Sequence, residues 1–197
     1  IEDSQAVMFL TSDSVLQATT FASVPEGRVP VFDVESFKWD KQEVTHPVNQ
    51  IPCESDGRKL AVVLYTSGST GTPKGVRLDH QTILHRLNWQ WHAFPFGEEE
   101  VSCFKTALTF VDSISEIWAP LLIGRSVQIV PKHVTRDTQR FIDLLSRCKV
   151  SRLVLVPSLM KAILTFLKAQ SQCDAYLPLE HLKMWICSGE VLTKELL

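Results

Sequence analysis

The chain has 197 residues, 45% hydrophobic and 21% charged, with a net charge of -2, which suits one domain with a substantial core. That balance gives no electrostatic case for nucleic acid or an anionic membrane, and no apolar run approaches the roughly 20 residues of a membrane span. Five scattered cysteines (Cys53, Cys103, Cys148, Cys173, Cys187) without C-x-x-C spacing read as free thiols of a reducing, cytoplasmic compartment, and the six histidines show no zinc-type pairing, so no metal site is expected.

Apolar runs alternate with amphipathic stretches along the whole chain. Residues 6–10 and 29–34 read as strands around a short helix over 12–19, followed by a polar, Pro-containing connection over 38–58. A strand over 60–65 leads into a Gly- and hydroxyl-rich loop, and 76–78 reads as another strand. Asp79 is placed to cap a helix over 80–93, whose Ile83, Leu84, Leu87 and Trp91 keep helical spacing. A strand over 101–105 precedes a helix over 113–123, which Pro120 is expected to kink or interrupt and Gly124 to stop.

Next come a strand over 126–130, an amphipathic helix over 137–149, and a buried-type strand over 153–156 closed by Pro157. A helix over 158–169 and a last strand over 182–187 follow. This alternation predicts an α/β fold with mainly parallel sheets flanked by helices. The stretch 190–197 has helical composition and no stop signal, and there is no initiator Met. The chain therefore reads as a segment of a larger protein.

The loop after the 60–65 strand is Thr66-Ser67-Gly68-Ser69-Thr70-Gly71-Thr72-Pro73-Lys74-Gly75. Gly lets the backbone turn and approach closely. Successive N–H groups then form an anion-binding concavity. The hydroxyls add donors, and Lys74 adds a point charge. A Ser/Gly-rich surface turn is the plainer reading. The loop is not a Walker A motif, because Pro73 stands where the second Gly should be and Gly75 where the magnesium-binding hydroxyl should be.

The string resembles the phosphate loop of the adenylate-forming superfamily, which includes acyl-CoA synthetases, luciferases and the adenylation domains of nonribosomal peptide synthetases. The resemblance implies that Thr66, Ser67, Gly68, Ser69, Thr70, Gly71, Thr72, Lys74 and Gly75 hold ATP phosphates with Mg²⁺, Thr70 being the foremost single donor. It also implies that residues 1–197 are part of the large N-terminal subdomain of one adenylation domain, with both ends of the domain and the small C-terminal subdomain outside. The family's adenine motif, ribose Asp and catalytic Lys are not found within the 197 residues, so no catalytic residue is assigned and the isolated segment is expected to be inactive.

A second constellation runs from Phe104 to Trp118. In adenylation domains an aromatic residue here opens a helix that lines the acyl pocket, and Phe110 fits that role. Members that activate α-amino acids follow it with an Asp for the substrate ammonium. Here Val111 holds that place and Asp112 comes one residue later. A β-amino acid carries its ammonium one methylene further from the carboxylate, and a displaced acid can follow it. A buried ammonium needs such a partner. By resemblance Ser115, Leu155, Ile186 and Ser188 complete the pocket, close to the pattern associated with β-alanine. Asp112 reads equally as a helix N-cap.

Together with Asn88-Trp89-Gln90-Trp91, these stretches resemble the Ebony-type β-alanyl-amine synthetases, although Trp residues at helical spacing commonly serve packing. That resemblance implies a phosphopantetheine-bearing carrier domain outside this chain and an amine acceptor. Gly189 and Glu190 resemble the segment that passes near the adenine; the same pair also suits a strand-to-helix turn that needs Gly. Two other readings stay open: an acyl-CoA synthetase for a small carboxylic acid, and a degenerate nucleotide-binding or scaffolding module without catalysis.

Overall fold

The structure, a computed structural model, describes residues 4–12, 30–34, 57–67, 71–170 and 179–196. It divides into two compact units, Ile1–Lys59 and Leu60–Leu197. In the first unit β1 (Phe9–Thr11) pairs in parallel with β2 (Val31–Asp33), Phe9 opposite Val31. Bonds from Phe9 N–H to the Pro30 carbonyl (2.9 Å) and from Val34 N–H to the Thr11 carbonyl (2.7 Å) extend that ladder. The helix expected over 12–19 and most of the 38–58 connection lie outside the described residues.

The second unit opens with an antiparallel hairpin, β3 (Leu60–Thr66) against β4 (Lys74–Asp79), with a register shift between Leu60 and Val62. The second strand thus begins at Lys74, two residues before the predicted 76–78 run. Asp79 ends it and caps α1 (His80–Ala93), accepting from the Thr82 N–H at 2.7 Å. Those bonds to Thr82 hold the Asp79 carboxyl below its ordinary pKa.

A four-stranded, all-parallel sheet follows: β5 (Val101–Phe104), β6 (Ser126–Ile129), β7 (Arg152–Leu155) and β8 (Met184–Cys187), in the order β6-β5-β7-β8. The chain winds outward from β5 to β6, then returns to lay β7 on the other side of β5. That reversal is a topological switch point. In open α/β sheets ligands bind beside it, at the carboxyl ends of the strands.

Four helices complete the unit: α2 (Asp112–Leu121), the short α3 (Lys132–Thr135), α4 (Thr138–Arg147) and α5 (Pro157–Gln170). Pro120 stands in the last turn of α2, and the helix ends one residue after it, short of the 113–123 expected. Gly124, at φ +71°, then closes the turn, with Gly124 N–H bonded to the Leu121 carbonyl and Arg125 N–H to that of Pro120. The terminal stretch predicted as helix forms only a 3₁₀ turn over Lys194–Leu196. No helix among the described residues is long and apolar enough to cross a membrane.

The core lies on the α4/α5 side of the sheet. Phe141, Ile142 and Leu145 of α4 and Ile163 of α5 meet Cys103, Leu153 and Leu155 from the strands, all essentially inaccessible to solvent. Each such aliphatic or aromatic side chain contributes about 1.5–3 kcal/mol of burial. Burial, reinforced by the Glu116 carboxylate, pushes the Cys103 thiol up to about 12. It stays protonated and unreactive at neutral pH.

One buried charge fixes the near end of the sheet. The Arg152 guanidinium donates to both Glu100 carboxylate oxygens (3.0 and 3.1 Å) and to the Phe94 and Pro95 carbonyls (3.0 Å each). It also lies 3.7 Å over the Phe96 ring. The segment leaving α1 is thereby tied to β7, with each nitrogen of the cation engaged in at least one bond.

Candidate active site

Two regions of the second unit carry the residues singled out in the sequence. The first is the end of the β3–β4 hairpin. Thr66 pairs across the ladder with Lys74 and Tyr65 with Gly75, so Thr66, Lys74 and Gly75 belong to strands rather than to the loop expected over 66–75. Ser67, Gly71 and Thr72 lie between them, exposed; Gly68, Ser69 and Thr70 lie outside the described residues.

Two glycines have visible reasons. Gly71 sits at φ +80° with open space around it, a backbone shape L-residues avoid. Gly75 has an ordinary backbone, but a Cβ there would stand 3.0 Å from Val63 Cγ1 and 3.3 Å from Tyr65 Cζ. Lys74 is exposed at the strand end, and its side chain forms no ion pair among the described residues.

The second region is a cavity of about 490 Å³ at the carboxyl ends of β7 and β8. It brings together Asp112, Ser115, Ile186 and Ser188, four of the seven residues predicted for a substrate pocket. Asp112 is half-buried, and its Oδ2 accepts from the Ser188 hydroxyl at 2.9 Å across 76 positions of sequence. Asp112 is not the cap of α2. Val111 holds the cap position without a side-chain bond, and Asp112 is the first helical residue. Its charge there is favoured by the helix dipole, and its second oxygen makes no hydrogen bond among the described residues.

The other three predicted residues stand elsewhere. Phe110 and Val111 are 65% and 56% exposed and do not line the cavity. The bond from Ser113 N–H to the Phe110 carbonyl (3.1 Å) and that from the Ser113 hydroxyl (2.6 Å) hold the turn before α2. Leu155 is 2% exposed and belongs to the core under α4 and α5. Strand residues alternate between faces, so its neighbour Val154 lines the cavity instead. Leu155 acts through its carbonyl, which accepts from Ser188 N–H at 3.1 Å.

The turn that presents Asp112 is pinned from below. Glu116 of α2, fully buried, accepts from the N–H groups of Lys105 (3.0 Å) and Thr106 (2.9 Å). It also accepts from the Thr106 hydroxyl (2.7 Å) and the Lys105 ammonium (3.1 Å). All of the carboxylate's lone pairs are engaged, which makes a buried ion pair tolerable.

Gly189 has φ +81° in the bend that follows β8. Glu190 accepts from both the N–H and the hydroxyl of Ser158 (2.9 Å each), satisfying a free donor in the first turn of α5.

Sequence reasoning missed several lining residues. Trp89 and Phe94 meet edge to face at 5.6 Å, the Arg86 guanidinium lies 4.6 Å over the Trp89 ring, and Trp185 and Met160 come from β8 and α5. Trp91 packs as expected, its indole N–H donating to the Ala119 carbonyl at 2.7 Å. Gln90 was also missed, although it stands at i+7 from Ile83 and i+3 from Leu87. A polar residue on an apolar helical stripe is itself a signal.

Comparison with known proteins identifies the family and the fold. The model of the AMP-binding enzyme family matches residues 1–197. The beta-alanyl-bioamine nonribosomal peptide synthetase ebony of Drosophila melanogaster is 56% identical over 138 residues, 70% of this chain. The chain spans 16% of that protein's length. Among solved structures, the nonribosomal peptide synthetase FmoA3 superposes with a TM-score of 0.77 at 19% identity over 99% of this chain and 19% of its own, a likeness of fold. A four-domain nonribosomal peptide synthetase, holo-AB3403, bound to AMP and glycine, gives 0.70 at 25% identity over 100% of this chain and 13% of its own.

Proposed function

The chain belongs to the AMP-binding enzyme family, and from that premise we propose that it forms part of an adenylation domain which activates β-alanine with ATP. The substrate carboxylate attacks the α-phosphorus, a P–O bond to pyrophosphate breaks, and an acyl-adenylate forms. Such chemistry is mostly positioning and charge stabilisation. In this reading the hairpin from Thr66 to Gly75 holds the departing phosphate oxygens and Lys74 offsets their charge. Asp112, held by Ser188, pairs with the β-ammonium and so aims the carboxylate.

Among the described residues no cluster of metal-ligating side chains forms. A bound Mg²⁺ would supply neutralisation of the nucleotide's phosphate charge. Gly189 and Glu190, which directly follow Ser188, are in this reading the edge nearest the adenine. The rest of the adenylation domain, with its catalytic Lys, lies outside residues 1–197. So do a carrier domain whose phosphopantetheine thiol takes the acyl group and the module that passes it to an amine. Free thiols at Cys103, Cys148 and Cys187 support a cytoplasmic setting.

The observation that carries the reading is the Asp112–Ser188 hydrogen bond inside the cavity. It joins two residues, far apart in sequence, that the resemblance assigns to one pocket. The test is acid-dependent ATP–pyrophosphate exchange by the full-length protein. β-Alanine should drive exchange and propionate should not. Asp112→Ala should cut kcat/KM for β-alanine by roughly 100-fold, or about 2.8 kcal/mol at 1.4 kcal/mol per tenfold. Exchange driven by propionate and indifferent to Asp112→Ala would favour an acyl-CoA synthetase instead.

A further inference from the structure

Of the arginines among the described residues, only Arg152 and Arg125 are buried or half-buried. Each nitrogen of Arg152 has a partner. Arg125, in the turn between α2 and β6, has none for its side chain. Its backbone N–H bonds to the Pro120 carbonyl at 2.9 Å, but its guanidinium makes no hydrogen bond and no ion pair. Nε is closed to solvent and unpartnered. A guanidinium keeps its charge in a protein, and donors withdrawn from water without a partner are costly and rare. Ser102 Oγ, the other buried orphan among the described residues, lies inside the sheet on β5, opposite Val127.

Arg125 stands at the start of an unguarded edge. β6 is an outermost strand, paired only with β5. Val130 N–H donates to the Phe104 carbonyl at 2.8 Å, and in a parallel ladder alternate residues bond to opposite sides. The peptide groups of Ser126 and Gln128 therefore face β5, and those of Val127 and Ile129 face away from the sheet. Natural edges are commonly blunted by Lys, Pro or a bulge. Ser126-Val127-Gln128-Ile129 has none of these, its register with β5 is unbroken, and Ile129 is 64% exposed. The Ile129 carbonyl alone is covered, by the exposed Gln128 carboxamide at 2.8 Å. A second copy of β6 does not answer the charge, because residues 121–135 contain no Asp or Glu. We propose that this edge receives an extended segment of the full-length chain from outside residues 1–197, whose Asp or Glu pairs with Arg125. Main-chain bonds then give the affinity, and the carboxylate at the strand's end fixes the register. The Drosophila relative, of which this chain spans 16%, shows how much sequence can lie outside.

The test uses the full-length protein. Arg125→Lys keeps the charge and supplies an amine that a carbodiimide joins to a touching carboxylate. Peptide mapping should find a crosslink from position 125 to an Asp or Glu outside residues 1–197, absent from the wild type. Mixing with isotope-labelled protein tells links within one chain from links between copies. Amide hydrogen exchange gives a second readout that needs no variant. Val127 and Ile129 should exchange roughly 100-fold more slowly than amides of an open edge. Arg125→Gln should give back roughly tenfold of that protection, while the Leu153 amide in the sheet's interior keeps its own.

Val127 and Ile129 amides that exchange freely in the wild type overturn the added strand. A crosslink between copies, or one that ends within residues 1–197, overturns the segment assigned to it. No crosslink from position 125, or protection that Arg125→Gln leaves unchanged, overturns the ion pair. None of these readouts involves the acid that is activated, so failure here leaves the β-alanine reading standing.

Discussion

The hairpin end and the cavity are built by opposite means. The hairpin gathers its residues from one stretch, Thr66 to Gly75, with Gly71 shaping the turn, Gly75 allowing close approach, and the described side chains left in solvent. The cavity draws on α1, α2, β7, α5 and β8, and its polar centre joins residues 76 positions apart through a half-buried hydrogen bond. A phosphate site needs backbone N–H groups and a cation, which a local turn supplies. An ammonium site needs a carboxylate held away from water, and only tertiary packing supplies that. The first region should therefore tolerate surface change at little cost in stability, and the second should not.

The sharpest way to break this contrast is at Glu116. It holds the turn before Asp112 by four hydrogen bonds, with Lys105 paired to it at 8% side-chain exposure. Glu116→Ala strands a buried ammonium and two backbone donors, so stability should fall by about 3–5 kcal/mol. The urea midpoint checks this, read at constant m-value. A loss below 1 kcal/mol would mean that the cavity's support is as dispensable as a surface loop.

Gly75 probes the hairpin on the same scale. Its Cβ position meets Val63 Cγ1 at 3.0 Å, and Val63 is a β-branched residue with little rotamer freedom on the facing strand. Overpacking of this kind costs roughly 1–3 kcal/mol, and the unfolded chain's lost freedom returns about 0.4–1 kcal/mol. Gly75→Ala should thus destabilise by about 1 kcal/mol in the same urea titration, well short of Glu116→Ala. A loss equal to that of Glu116→Ala would erase the difference between the regions.

The same division explains what could be read from the sequence. The hairpin motif was legible because its information is local, and so were α1, through the Asp79 cap, and the turn after α2, through Gly124. The pairing of Asp112 with Ser188 could be suggested only by resemblance, since nothing local links β8 to the start of α2. The choice between Val154 and Leu155 was beyond periodicity, because β7 is buried or nearly so on both faces and its run is apolar throughout. The short α3 is one turn long and shows no period. Residues 190–197 have helical composition, but a 3₁₀ turn is all that forms, propensity being a weak prior beside tertiary context.

The smallest expected effect turns on the left-handed positions, where the contrast reverses. The hairpin has a glycine at such a position, Gly71 at φ +80°, as does the turn after α2, Gly124 at φ +71°. The turn after α4, which feeds the core strand β7, has Lys149 at φ +52°. It makes the same pair of closing bonds as the Gly124 turn: Lys149 N–H to the Ser146 carbonyl (3.0 Å) and Val150 N–H to that of Leu145 (2.9 Å). An L-residue in that conformation costs about 1–2 kcal/mol, and glycine gives back roughly 0.5–1 kcal/mol in chain entropy. Lys149→Gly should therefore stabilise the protein by about 0.5–1 kcal/mol in urea, leaving β-alanine-dependent exchange unchanged. A destabilised variant would show that the exposed Lys149 side chain contributes more than the backbone strain it imposes.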